Sequence, residues 1–143
     1  MQFIQHNRTY FVYLEKGEPV VEVLTNFCKE HNISNGYISG IGAMNNIELG
    51  AYDTSRRKYI KKTFKDDHEL ITYQGNIMLL EDEPFIHAHI TIGNHNMEIF
   101  GGHLFGAKIA VVGEFIIQKV DGNSKRKLND EIGLATWDLT NNK

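Results

Sequence analysis

The chain has 143 residues, of which 41% are hydrophobic and 23% charged, values that fit one globular domain of ordinary size. They exclude a collagen-like, disordered or coiled-coil chain, and no apolar run approaches the roughly 20 residues a membrane-spanning helix needs. The net charge of −3 lacks the basic excess usual in nucleic-acid-binding domains.

The opening MQFIQHNRTY has no basic segment leading into an apolar one, so no secretory leader is expected. Tyr10 to Leu14 is aromatic and β-branched and predicts a strand. Lys16-Gly17 turns the chain, and Pro19 suits the first turn of a helix. Val20, Leu24, Phe27 and His31 recur at helical spacing beside Val23 and Cys28. They predict an amphipathic helix of three to four turns ending near Asn32, the only long one.

The remainder reads as strands. Tyr37 to Met44 and Ile47 to Tyr52 are expected to form a hairpin across Asn45-Asn46, since Asn tolerates the positive φ of a tight turn. Lys58 to Phe64 and Glu69 to Leu80 follow, then a loop at Glu81-Asp82-Glu83-Pro84. Phe85 to Ile92 and Met97 to Phe105 predict a second hairpin. Ile109 to Val120 is a further strand, Asp121-Gly122-Asn123 a turn, and Leu134 to Leu139 a closing strand. No repeat, linker or low-complexity tract divides residues 1–143, which read as a single domain. Many strands with one main helix predict an α+β fold built on a mostly antiparallel sheet.

One Cys beside seven His forbids an intrachain disulfide, points to a reducing cytoplasm, and requires any metal chemistry to be led by histidine. In Phe85-Ile86-His87-Ala88-His89-Ile90-Thr91-Ile92, strand alternation puts His87, His89 and Thr91 on one face and the isoleucines on the other. With a loop over Asn94 to Asn96, His89 would oppose Gly101 and His87 would oppose His103, so three imidazoles converge above the sheet. A shift of one residue would throw His103 to the opposite face. Three neutral His suit Zn²⁺, and also Ni²⁺, Co²⁺ or Fe²⁺, and leave a position open as in catalytic rather than structural zinc sites.

Ile86-His87-Ala88-His89, followed by Gly101-Gly102-His103-Leu104, resembles the signature of the plants-and-prokaryotes-conserved (PPC) domain. Gly17-Glu18, Gly40-Ile41-Gly42-Ala43, Gly75-Asn76-Ile77, Gly113-Glu114-Phe115, Arg126 and the Asp130 to Leu134 segment fit it as well, so that the likeness runs roughly from Thr9 to Leu139. It implies an α+β fold, a homotrimer and a divalent-metal cluster, carried over here onto His87, His89 and His103. Members of the family are often labelled DNA-binding, but in the plant proteins an AT-hook supplies that contact. This chain has no Arg-Gly-Arg-Pro hook.

Glu114 interrupts the apolar run from Ile109 to Ile117. It either fixes a ligating His or acts as a general base, or else it faces solvent or pairs with Arg126 between copies. Arg126 itself is placed to reach an anionic ligand. Arg56 to Lys65 holds six basic residues among aromatics and reads as a solvated sheet edge or as a phosphate grip. The expected function is a homotrimer that binds or transforms a small ligand at a three-histidine centre. A DNA-associated regulator is the alternative, and the net charge counts against it.

Overall fold

Tyr10, Val12 and Leu14 alternate with exposed neighbours and bury one face of β2 (Thr9–Glu15), as period-2 patterning requires. In the computed structural model, which describes residues 1–140, the turn after β2 has Gly17 at φ +89°. Its N–H donates to Ile109 O at 2.8 Å. Pro19 stands in extended conformation as the N-cap of α1 (Val20–Glu30), with His31 at the C-cap. Val20, Leu24, Phe27 and Cys28 are the buried stripe of that helix.

The other elements are β1 (Gln2–His6), β3 (Asn35–Asp53), β4 (Lys58–Phe64), β5 (His68–Leu80), β6 (Glu83–Gly93), β7 (Ile99–Val120), β8 (Lys125–Asn129) and β9 (Leu134–Asp138). They form one nine-stranded sheet in the order β1-β2-β7-β3-β5-β8-β9, with β4 beside β3 and β6 between β5 and β7. All pairings are antiparallel except a single parallel bridge, Leu79 to Lys125. Because β3 pairs with β5 and β7, and β6 pairs with both of those, the four strands close on themselves. Ile38, Met44, Ile47, Leu70, Tyr73, Ile77, Ile90, Ile92, Phe115 and Ile117 fill the core together with α1.

The expected α+β class is corrected. Strands hold 68% of the chain and the helix only 8%, so the domain is predominantly β with one short helix packed on it. The antiparallel sheet itself agrees with the sequence reading.

Two further corrections concern the long strands. Asn45-Asn46 does not turn a hairpin, although Asn46 has φ +48°. Residues 35–42 and 44–50 both pair with β7, and between Asn45↔Lys108 and Glu48↔Gly106 the chain fits three steps against two. One surplus residue is absorbed as a bulge, which bends a strand without reversing it. Likewise the two expected strands around Gly106 are one continuous β7. Strand β1, which pairs with β2, was not expected, because its Gln- and His-rich sequence shows no apolar alternation. No helix among the described residues is long and apolar enough to cross a membrane.

Candidate metal centre

The strand β6 turns its isoleucines inward, with Ile90 and Ile92 buried, and so presents His87 and His89 outward on one face. The loop to β7 runs from Asn94 to Glu98, longer than expected. Asn94 Oδ1 holds it by accepting from the Asn96 and Glu98 N–H groups at 2.9 and 3.0 Å. The resulting register pairs Gly93 with Ile99, Thr91 with Gly101 and His89 with His103. The expected pairing of His89 with Gly101 is therefore displaced by two residues. A two-residue slip preserves side-chain parity, so His103 keeps its place on the histidine face.

The structure brings all three together. A ligand atom from each of His87, His89 and His103 lies within 4.8 Å of the others. The ring centroids are 5.1 Å apart for His87–His89, 5.1 Å for His87–His103 and 5.5 Å for His89–His103. His89 is exposed and the other two are half-buried. Aromatic rings wall the His103 side, with Tyr59 at 5.0 Å and Phe105 at 4.7 Å. Gly50 makes room for them, since a Cβ there would stand 2.7 Å from Phe105 and 3.2 Å from Tyr59.

This site fits a divalent cation on two counts. The Nδ1 of His103 is buried without a hydrogen-bond partner among the described residues, and an orphaned buried polar atom calls for an explanation such as an ion. His87 and His103 are also held toward the neutral form, the one that ligates. Burial chiefly, then Arg126 and His89, lowers the His87 pKa. Burial, then His87, His89, Lys61 and Arg126, lowers that of His103 to about 4.

Arg126 lies beside the cluster. Its Nη1 donates to Asn76 Oδ1 at 3.1 Å, its Nε and Nη2 donate to Ala135 O at 3.2 and 2.9 Å, and Nη2 stands 3.4 Å from His87 Nδ1. Trp137 Nε1 donates to the same Asn76 Oδ1 at 3.2 Å. Together these bonds pin the β8–β9 hairpin next to the histidines. A cavity of about 440 Å³ opens there, lined by Tyr37, Gln74, Gly75, Asn76, His87, His89 and Trp137.

Glu114 is placed elsewhere. It pairs with Tyr13 on β2 and Ile41 on β3 and lines an apolar groove of about 750 Å³ with Phe3, Ile4, Phe11 and Ile116. Within one chain it neither joins the histidines nor bonds Arg126. Of the other histidines, His31 caps α1 and stacks on Phe27 at 4.2 Å. His68 is buried, with Nδ1 2.9 Å from Asp66 O. In the basic stretch, Arg56 pairs with Asp53 at 3.6 Å and Lys61 with Glu48 at 3.1 Å. Lys62 lies over the Phe64 ring.

The sequence reading gave no site role to Tyr59, Phe105 or Trp137, nor to Asn76, which it met only within Gly75-Asn76-Ile77. Phe105 alone had a readable signal, two residues beyond His103 on the same strand face.

This fold has counterparts among known proteins. The model of the Plants and Prokaryotes Conserved (PCC) domain matches residues 1–121. The chain belongs to that family. A protein of Bacteroides thetaiotaomicron, provisionally described as DNA-binding, is 30% identical with a TM-score of 0.94, covering 96% of both chains. A plant- and prokaryote-conserved protein of Pyrococcus horikoshii is 34% identical with a TM-score of 0.86, over 96% of this chain and 94% of that one. A metal-containing protein of Archaeoglobus fulgidus is 28% identical with a TM-score of 0.85, over 95% and 96%. No curated protein matches the chain.

Proposed function

We propose that this domain holds a divalent cation, zinc, on His87, His89 and His103 and binds a small ligand beside it. The observation that carries the reading is the convergence of three imidazoles, one ligand atom from each within 4.8 Å of the others, beside a buried His103 Nδ1 that has no hydrogen-bond partner among the described residues. The metal-containing relative from Archaeoglobus fulgidus supports it. Neutral nitrogen donors without thiolate or carboxylate suit zinc. When bound, such an ion supplies Lewis acidity at an open position. Around it the chain's own groups place Arg126 beside His87, wall off His103 with Tyr59 and Phe105, and leave access past exposed His89.

We further propose a homotrimer in the reducing cytoplasm. The apolar groove formed by Phe3, Ile4, Phe11 and Ile116 supports association between copies, and the lone, buried Cys28 suits a compartment without disulfides.

Protein purified without an affinity tag should carry one equivalent of zinc per chain by elemental analysis. The His87→Ala, His103→Ala double variant should carry none while remaining folded. Wild-type protein that is fully folded and takes up no added zinc would refute the reading.

A further inference from the structure

Beside the histidine cluster stands one cation with no acid to balance it. The Arg126 guanidinium is half-buried and has no carboxylate partner among the described residues. Its bonds go to a carbonyl, an amide oxygen and an imidazole nitrogen. No acid belongs to the histidine group, and none lines the adjacent cavity. Lys61, the other cation near His103, is already paired with Glu48 at 3.1 Å, which leaves Arg126 as the unbalanced charge. Desolvating a guanidinium beside a divalent-cation site is costly unless an opposite charge arrives. One Nη1 hydrogen of Arg126 also remains without a partner among the described residues, and a charged N–H suits an oxyanion.

We infer that the ligand of this site is a small organic oxyanion, a carboxylate or phosphate, held by Arg126 beside the histidines with its apolar body between Tyr37 and Trp137. This rests on the cation reading for part of the charge, but not for Arg126 itself. The cavity of about 440 Å³ is lined by His87 and Asn76, the two side chains that Arg126 contacts, rather than by Arg126 itself; it admits a single-ring compound, and aromatic walls favour a flat body.

Arg126 then has opposite effects on the two partners. It attracts the anion. It opposes the cation, both by its charge and because an N–H donor facing His87 Nδ1 disfavours the tautomer with a proton there, the one left when Nε2 ligates. A merely structural role would weaken both together.

The test uses the full chain, metal-free and zinc-loaded, titrated with benzoate, phenyl phosphate and the neutral isostere benzamide. Binding is read by calorimetry and by fluorescence of Trp137, the one tryptophan. Benzoate or phenyl phosphate should bind at least about tenfold tighter than benzamide, the cost of one charged hydrogen bond. The tighter of the two identifies the head group. Arg126→Gln should lose that preference while its zinc affinity holds or rises. Arg126→Lys, which keeps the charge, should retain part of it and decides the matter if the Gln variant loosens the hairpin. Benzamide binding as tightly as benzoate, or an unchanged preference in both Arg126 variants, overturns the inference even with zinc stoichiometric. Failure to take up zinc, with Arg126-dependent benzoate binding intact, refutes the cation reading and leaves the anion site standing. A gain of anion binding on Glu114→Gln would overturn the inference by showing that a second copy's carboxylate already neutralises Arg126.

Discussion

His89 on β6 and His103 on β7 are direct Cα partners across the ladder, with their rings at 83° to each other. Cross-strand partners are fixed by backbone hydrogen bonds, so their separation does not depend on a flexible loop. His87, two residues along the same face, completes a triangle whose geometry is set before any ion arrives. Preorganised donors of this kind give up little order on ligation.

That triangle predicts a specific response to acid in the metal-free protein. The His103 imidazole is held at about 4 and His87 is lowered too, against an ordinary value near 6.5. As pH falls below about 6.5, the unfolded chain takes up protons that the folded imidazoles refuse, so stability is full above that value and declines toward pH 4. Titration by NMR should place the His103 midpoint near 4, and a midpoint near 6.5 would contradict the packing described. The same neutrality keeps His103 open to a cation in mildly acidic buffer, where an ordinary imidazole is already protonated.

Asn76 predicts a local opening. Its Oδ1 accepts from both Arg126 and Trp137, and β8 joins the main sheet by one bridge only. Asn76→Ala removes two half-exposed hydrogen bonds of about 1 kcal/mol each. Hydrogen exchange should quicken across residues 125–138, with altered Trp137 fluorescence and a nearly unchanged global denaturation midpoint. An equal loss of protection throughout the sheet would show that the hairpin is not a separate unit.

Helix packing can be read through Cys28. Burial pushes its thiol up to about 12, so a thiol reagent should label it only when the helix opens. Leu24→Ala, at a position with no exposure, should cost about 2–5 kcal/mol. It should speed labelling of Cys28 in proportion. Labelling of the wild type as fast as a free thiol would be inconsistent with this core.

Duplex DNA should not be retarded by this protein at low salt. The net charge is −3, and Arg56 and Lys61 are already paired with acids. Retardation that fades steeply as salt rises, the mark of phosphate contacts, would restore the DNA-associated reading.

The histidine face was legible in the sequence because alternation depends only on parity. His87, His89 and His103 fell on one side even though the expected pairing was two residues out. The Asn45-Asn46 bend was not legible. A left-handed Asn serves equally in a hairpin and in a bulge, and the choice was made by β7, which pairs with both halves of β3. Strand β1 owes its existence to β2 rather than to any pattern of its own. Arg126 was legible as a cation able to reach an anion, but its place beside His87 was not. Its bonds to Asn76 and Ala135 span 50 and 9 residues, and no local pattern announces such partners.

The five-residue connection Asn94–Glu98 has a consequence for how this chain can vary. Its tip at Met97 is 80% exposed and bears no site residue, so length changes there meet little packing resistance. Insertion or deletion of two residues can be taken up as a further even slip, with all three imidazoles still on one side. Removal of a single residue, carried into the ladder, inverts His103 and dismantles the triangle. Lineages of this domain can therefore lengthen or shorten the hairpin in even steps, while odd steps demand a compensating bulge.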